Sequence, residues 1–216
     1  MTRRLALLIL VVAAVPCYAQ NPPQNPPPNP KERWNKIFSN PVPPFVNKPN
    51  QFLTEMVRAR KPGTAVDVGM GQGRNAIFLA QQGWDVTGVD ISDEGIRVAK
   101  EQAAKLGVKL NTVLQDADQF DFGKERWDLV AGMFVHSIIT RNAARIREGL
   151  KPGGILVVEG YLNDDPQRPF GYQSGELLKA FEGFRILRYE ETTGPADWAR
   201  GKEAALVRML AQKPGR

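Results

Sequence analysis

The feature that most constrains the fold is a β-branched run that ends in closely spaced glycines. Residues 64–68 form a short, mostly apolar run, and three glycines follow it with G-x-G-x-G spacing: Gly69, Gly71 and Gly73. A helical pattern comes next at 75–82, and a second strand-like run at 84–89 ends at an acid, Asp90. This order of strand, glycine turn, helix and acid-terminated strand is typical of an α/β protein with a parallel sheet.

The rest of the chain continues the alternation of strands and helices. Asn50 is placed to cap a first helix. Further strands are predicted at 110–114, 128–133 and 155–159, with helices at 92–106, 141–150 and 174–181. The tail differs, because 184–191 and 204–212 read as two strands with no helix between them. We therefore expect an α/β, Rossmann-like fold: a doubly wound, mostly parallel sheet with helices on both faces and a C-terminal antiparallel hairpin at its edge.

The first nineteen residues read as a secretory signal peptide. Two arginines precede an unbroken apolar run at 5–15, and the small residues Cys17 and Ala19 predict cleavage before Gln20. The apolar run is too short to span a bilayer. Lipid anchoring at Cys17 is the alternative, and Pro16 directly before the cysteine argues against it. We expect an exported protein, periplasmic or secreted, with no stable membrane span after cleavage.

Residues 20–49 separate this signal from the folded domain. Six prolines among asparagines and glutamines at 21–30 cannot support a packed core, which predicts an extended tether. Aromatic side chains follow at Trp34 and Phe38, and these predict an N-terminal cap lying on a domain that occupies 50–216. The sequence leaves two roles open for this cap: it closes over a ligand as a lid, or it only covers apolar surface.

The cysteine and histidine counts exclude several kinds of site. Cys17 is the only cysteine and would leave with the signal, so the mature chain would have neither a disulfide nor a thiolate nucleophile. His136 is the only histidine, which excludes a His-cluster metal site, and we expect no metal. Removing Arg3 and Arg4 lowers the formal charge from +6 to +4. Because no dense basic run accompanies this mild excess, we do not expect nucleic-acid binding.

The glycine loop can hold a ligand or can be a plain strand-to-helix turn. Without Cβ atoms its backbone can approach a ligand closely, and the next helix presents unpaired N–H groups. The dinucleotide fingerprint needs a third glycine where Arg74 stands, and the chain has no Tyr-x-x-x-Lys pair, so a short-chain NAD enzyme is disfavoured. Three acids at successive strand ends suit a cofactor with a cationic tail instead: Asp67 for an ammonium, Asp90 for a ribose and Asp116 for an adenine amino group.

These motifs resemble those of class I S-adenosylmethionine-dependent methyltransferases, from Asn50 to the C-terminus. The matching segments are 66–75, 86–92, 114–117, 127–130 and 150–156. The lead-in, with Trp34, Phe38 and 48–53, is similar to a small bacterial branch related to tellurite-resistance and thiopurine methyltransferases.

The resemblance implies that S-adenosylmethionine is the cofactor. It places the methionyl part on the glycine loop, the ribose on Asp90 and the adenine on Asp116 and Ala117. The residues expected to bind the cofactor are Asp67, Gly69, Met70, Gly71, Gly73, Asn75, Asp90, Ile91, Asp116, Ala117 and Met133. Met70 is a departure, because a small residue or cysteine is commoner at that position, and its side chain is expected to narrow the floor of the site.

The segment after the fourth strand is where the methyl acceptor of such a fold is expected to bind. His136 in this segment could deprotonate an oxygen or nitrogen acceptor, or could only pack at a loop. Phe134 and Tyr161 are the other candidate acceptor contacts, together with His136 itself. A soft sulfur, selenium or tellurium acceptor would need no base.

The leading hypothesis is an enzyme that moves a methyl group from S-adenosylmethionine to a small-molecule acceptor. The alternative is a non-catalytic or degenerate cofactor-binding domain in the cell envelope. It is motivated by the conflict between an export signal and a cofactor that is made in the cytoplasm. The sequence gives no indication of the acceptor atom or of the oligomeric state.

Overall fold

The structure, a computed structural model, describes residues 29–41, 45–163, 165 and 170–215. The predicted signal peptide at 1–19 and most of the tether lie outside the described residues. The strands are β1 (Thr64–Val68), β2 (Asp85–Asp90), β3 (Asn111–Leu114), β4 (Trp127–Met133), β5 (Leu150–Tyr161), β6 (Arg185–Pro195) and β7 (Glu203–Gln212). The helices are α1 (Pro30–Phe38), α2 (Gln51–Val57), α3 (Arg74–Gln81), α4 (Asp93–Lys105), α5 (Ile138–Arg141), α6 (Ala143–Gly149) and α7 (Glu176–Ala180).

The strands form one sheet in the order β3-β2-β1-β4-β5-β7-β6. β1 to β5 run parallel, whereas β7 lies antiparallel between β5 and β6. The strand order reverses between β1 and β4, so the loops after these two strands diverge and open a crevice at their carboxyl ends. The predicted fold, a mostly parallel sheet with a C-terminal antiparallel hairpin, is confirmed.

Apolar clusters cover both faces of the sheet. Alternate residues of the central strands belong to different clusters: Val66 and Val130 pack on one side, and Ala65 and Leu129 pack on the other. A strand buried on both faces needs apolar residues throughout. This requirement explains why the central strands read as continuous apolar runs.

Side-chain caps start the helices at the places that the sequence indicates. Asn50 Oδ1 accepts a hydrogen bond from Leu53 N at 2.9 Å, and Ser92 Oγ accepts one from Gly95 N at 2.9 Å. Each cap satisfies an N–H group that the first helical turn leaves unpaired. The predicted starts of α2 and α4 are therefore confirmed to within one residue.

Three elements differ from the sequence expectation. The N-terminal cap contains a helix, α1, which begins with Pro30 after the capping side chain of Asn29. The helix expected at 141–150 is divided at Asn142 into α5 and α6. The C-terminal hairpin forms as expected, but its tip, which the sequence left undefined, is a 3-10 turn at Asp197–Ala199. A turn of three residues is too short to leave a periodic sequence pattern.

Candidate active site

The glycine loop between β1 and α3 keeps its backbone close to two other segments. All three glycines have positive φ: Gly69 (+66°), Gly71 (+54°) and Gly73 (+81°). A Cβ atom on Gly69 would lie 2.4 Å from Val135 Cγ1, and one on Gly71 would lie 2.7 Å from the Phe38 ring. Only glycine tolerates both this conformation and these distances. The loop is thus fixed between the segment after β4 and helix α1.

Met70 is buried beneath this loop and also lines the cavity beside it. Its Sδ atom lies 1.9 Å from the place where a Cβ atom of Gly88 would stand. A glycine in β2 therefore makes the room for the long side chain. The space at Gly88 accommodates the Met70 side chain without displacing the backbone of the glycine loop.

Asp90 joins the end of β2 to the glycine loop. Its Oδ2 accepts a hydrogen bond from Gly71 N at 2.8 Å, and its Oδ1 accepts one from Ser92 N at 2.8 Å. Burial raises the pKa of this carboxyl, and the two backbone N–H groups offset part of that rise. Asp90 also lines the cavity, where its oxygens retain lone pairs for ligand hydroxyl groups.

Asp67 lies inside the protein, near the end of β1. Of the buried side-chain atoms in the described part of the chain, its Oδ2 alone has no hydrogen-bond partner. Burial raises its pKa to about 7; the Arg74 guanidinium opposes this rise, and the Asp90 carboxylate adds to it. An unsatisfied buried acceptor is costly unless a donor reaches it. Its position behind the glycine loop suits a cationic ligand or a bridging water.

A cavity of about 720 Å³ opens at the carboxyl ends of β1, β2 and β4. Most of the residues predicted to bind the cofactor line it: Gly69, Met70, Gly71, Asn75, Asp90, Ile91, Asp116, Ala117 and Met133. Asp67 and Gly73 do not line it: both are buried, and Gly73 packs against Ala99 of α4 at the end of the loop. The fold therefore brings the predicted set to one place, and their contacts with a cofactor stay a prediction.

The three residues predicted to meet the acceptor also line this cavity: Phe134, His136 and Tyr161. Phe134 has a positive φ of 59°, rare for a residue with a large side chain, and its N–H donates to Glu159 O at 2.7 Å. The Phe134 and Tyr161 rings meet edge to face, with centroids 5.2 Å apart. His136 stacks on Tyr161 at 5.8 Å. Together they form an aromatic wall.

His136 is held in a way that disfavours a role as a base. Its Nε2 accepts a hydrogen bond from Tyr161 N at 2.9 Å, so the lone pair of that nitrogen is occupied. The neutral ring then carries its proton on Nδ1. Burial lowers the pKa of the imidazole to about 4, well below its ordinary value. In this arrangement the ring fixes the backbone of Tyr161, and the predicted proton abstraction has no free ring nitrogen.

An aromatic cover, formed by Trp34, Phe38, Phe45 and Trp198, also lines the cavity. Trp34 stacks on Phe38 with ring centroids 5.7 Å apart and meets Trp198 of the hairpin tip edge-on at 5.7 Å. Phe45 lies 4.6 Å from the Trp198 ring. The predicted N-terminal cap thus forms part of the cavity wall. Whether it acts as a lid or only covers apolar surface stays a prediction.

Sequence reasoning missed a polar network that joins the ends of the chain to the site. Arg74 of α3 forms an ion pair with Asp197 at 2.8 Å and donates to Lys48 O. Asn50 Nδ2 donates to both Asp197 and Glu159, at 2.8 and 2.7 Å. These partners are up to 147 residues apart in the chain, so no local pattern reveals the pairing. The notable signal was Arg74 itself, a large cation at a position that often holds glycine.

The described ranges contain no cluster of three or more His, Cys, Asp or Glu side chains suited to a metal ion. They also contain no helix long and apolar enough to cross a membrane.

The residues present fit a cationic, adenosine-containing cofactor. A cradle of glycines meets the start of α3, an orphaned carboxylate oxygen lies behind it, and acids stand at the ends of β2 and β3. A phosphate-bearing cofactor would meet these negative charges unfavourably.

Comparisons with known proteins agree with this chemistry. A family described as methyltransferase domain matches residues 65–154. Hemagglutinin 1 of Eikenella corrodens is 31% identical over 183 residues, covering 76% of this chain and 59% of that protein. The probable S-adenosyl-L-methionine-dependent methyltransferase TehB of Haemophilus influenzae is 27% identical over 152 residues, covering 66% of this chain and 53% of that protein. The chain spans somewhat more than half the length of these two relatives.

Solved structures share the fold. TehB from Haemophilus influenzae superimposes with a TM-score of 0.65 over 85% of this chain and 66% of that chain, at 21% identity. The Burkholderia thailandensis 1,6-didemethyltoxoflavin-N1-methyltransferase, solved with 1,6-didemethyltoxoflavin and S-adenosylhomocysteine, gives a TM-score of 0.60 over 76% and 77% of the two chains, at 20% identity. Likeness at this identity shows the architecture.

Proposed function

We propose that this chain, which belongs to the class I S-adenosylmethionine-dependent methyltransferases, transfers a methyl group from S-adenosylmethionine to a small-molecule acceptor. The cavity carries this proposal. The glycine loop, Asp90, α1 and the hairpin tip all contribute to its lining, and the Phe38 ring of α1 packs on Gly71. A covered space of about 720 Å³ suits a cofactor and a small molecule better than a nucleic acid or a folded protein. The non-catalytic alternative is not favoured, because a matched relative is itself described as a methyltransferase.

Named residues would hold each part of the cofactor. The loop backbone at Gly69 and Gly71, with the start of α3, faces the methionyl part, Asp90 the ribose, and Asp116 with Ala117 the adenine. When bound, S-adenosylmethionine supplies an electrophilic methyl group on a sulfonium sulfur, and methyl transfer leaves S-adenosylhomocysteine.

The chain's own contribution is to orient the acceptor and exclude water. Phe134 and Tyr161 provide rigid rings beside the cofactor end of the cavity, and the Nε2 atom of His136 holds the Tyr161 backbone in place. The aromatic cover limits access from solvent. Holding the acceptor in line with an electrophile yields much of the rate gain in such reactions.

Cofactor binding is tested with a pair of acids on the same strand. Asp90→Asn removes a carboxylate at the carboxyl end of β2, and Asp85→Asn alters an exposed acid at the other end. Isothermal titration should show that Asp90→Asn binds S-adenosylmethionine about tenfold or more weakly than the wild type, because hydrogen bonds to a charged acceptor are lost. Asp85→Asn should bind it with the wild-type affinity. Equal affinity in both variants would remove Asp90 from the cofactor site. NAD should not bind either protein.

Catalysis is tested by following a labelled methyl group from bound S-adenosylmethionine across a panel of small acceptors. Formation of S-adenosylhomocysteine together with a labelled product supports the proposal. Tight cofactor binding with no transfer to any acceptor, while the same panel is methylated by a known methyltransferase, would favour the non-catalytic alternative.

We also propose that the mature protein functions outside the cytoplasm. The support is the sequence pattern at 1–19, with cleavage before Gln20. N-terminal sequencing of the native protein should begin at Gln20. A native protein that retains Met1 and stays in the cytoplasmic fraction would contradict export.

A further inference from the structure

Taking the proposed function as given, we infer that the acceptor is a planar aromatic molecule with an anionic group, and that Arg33 of α1 recognises this group. Arg33 lines the same cavity as the glycine loop and the aromatic wall. None of the comparisons assigns a role to this residue.

The other cations that line the cavity are neutralised within the protein. Arg74 forms its ion pair with Asp197 at 2.8 Å, and Arg141 forms one with Asp118 at 2.7 Å. An arginine held by a carboxylate has little capacity left for a ligand anion. Neither side chain therefore offers a free positive charge to an acceptor.

Arg33 differs from these two cations. Across the described ranges, no carboxylate oxygen lies within 4.0 Å of its guanidinium nitrogens. Arg33 is exposed, and its guanidinium lies over the Trp34 ring of the aromatic cover, 5.6 Å from the ring centroid. The planar donor fork is thus available to a carboxylate or a similar anion.

Two acids in the same lining restrict the position of such an anion. Asp90 and Asp116 line the cavity together with Arg33. They would repel an anionic group placed next to them, whereas Arg33 would attract it. The anionic group of the acceptor should therefore lie against Arg33 and away from these two carboxylates.

The walls of this cavity are aromatic. Phe170 lines the cavity with 59% of its surface exposed, and its ring lies 5.5 Å from Tyr161 and 4.8 Å from His136. Trp34 and Trp198 line the same cavity. Exposed aromatic surface at a binding cavity indicates a ligand that covers it, and flat rings pack best on flat rings.

The test measures binding of matched planar pairs to the protein loaded with S-adenosylhomocysteine. Indole-3-carboxylate and indole-3-carboxamide form one pair, and 2-naphthoate and 2-naphthamide form another. Isothermal titration should show that the wild type prefers the acid of each pair. Arg33→Gln should weaken binding of the acids on the order of tenfold and leave the amides unchanged, because a charge-assisted contact is lost. Arg33→Lys should restore part of the preference.

Lys36→Gln is the matched control. Lys36 is an exposed cation on the same helix and does not line the cavity, so its loss changes net charge equally. If the preference for the acid falls equally in Arg33→Gln and Lys36→Gln, the preference arises from long-range attraction to the net charge. That result would overturn the role of Arg33. The assignment also fails if neither member of a pair binds, or if Arg33→Gln keeps the full preference. If these binding tests fail but the protein still methylates neutral acceptors, the role of Arg33 is overturned and the proposed function stands.

Discussion

At the scale of single residues, Asp67 shows how a buried acid links pH to stability. Its pKa is raised from 3.8 to about 7 by burial, so the folded protein binds more protons than the unfolded chain between these values. Folding stability contributed by this group is therefore present at low pH and is lost as pH rises through the folded pKa. The contribution of Asp67 to the free energy of unfolding of the apoprotein should fall between pH 4 and 7, by on the order of 4 kcal/mol.

Asp67→Asn should flatten this pH dependence, because the amide does not titrate. Urea denaturation at several pH values measures the effect. Asp85→Asn, which changes an exposed acid, should keep the wild-type slope. A wild-type slope retained by Asp67→Asn would show that Asp67 ionises normally.

His136 permits a second prediction, which separates positioning from base catalysis. His136→Phe keeps an aromatic ring but leaves Tyr161 N without its acceptor. We expect the free energy of unfolding to fall by about 1–3 kcal/mol. For an oxygen acceptor at neutral pH, we expect turnover to fall less than about tenfold. Loss of a general base would instead lower turnover about 100-fold or more. Turnover assays with urea denaturation of the same variant distinguish the two outcomes.

At the scale of elements, α1 is tied to the cofactor end of the cavity. The Phe38 carbonyl accepts a hydrogen bond from Gln72 Nε2 at 2.9 Å, and the Phe38 ring packs on Gly71. Asn35 Oδ1 accepts a hydrogen bond from Ser92 Oγ at 2.6 Å, beside Asp90. Removing α1 should therefore disturb the loop that is predicted to hold the cofactor.

Two truncations test this dependence. A chain starting at residue 41 lacks α1, whereas a chain starting at Asn29 keeps the helix and its cap. We expect S-adenosylmethionine to bind the shorter chain about tenfold or more weakly, since ordered contacts to the loop are gone. The longer chain should bind like the mature protein. Equal affinity in both would make α1 a cover of apolar surface only and rule out the lid.

At the scale of the whole molecule, cofactor binding should appear as global stabilisation. A ligand that binds only the folded state at 100 times its Kd adds about 2.7 kcal/mol. For a domain of this size that corresponds to a rise in Tm of about 5–10 °C. Differential scanning fluorimetry with S-adenosylmethionine should show this rise, and NAD at the same concentration should not. A rise in Tm with NAD, and none with S-adenosylmethionine, would indicate that the glycine loop binds a dinucleotide.

Much of the fold followed from the sequence because its signals are local. The cap at Asn50, the apolar run at 64–68 and the acid at Asp90 each act within a few residues of where they stand. The glycine spacing likewise predicted a sharp turn, and the structure has positive φ at all three positions. Helix α1 was not predicted, although Asn29 and Pro30 form a helix-start signal, because this signal ends a proline-rich segment that predicts an extended chain. The hairpin tip was not predicted because a three-residue turn is too short to leave a periodic pattern.

The sequence by itself determined the order of the strands along the chain, the glycine loop and the positions of the acids that are predicted to bind a cofactor. Only the tertiary structure decided what surrounds them. It placed the Phe38 ring on Gly71, paired Arg74 with Asp197, and turned the lone pair of His136 Nε2 toward Tyr161. These contacts join segments far apart in the chain, and their geometry depends on how the sheet and its connections pack. For that reason the sequence indicated a cofactor, whereas the charge and shape of the acceptor end emerged only from the folded protein.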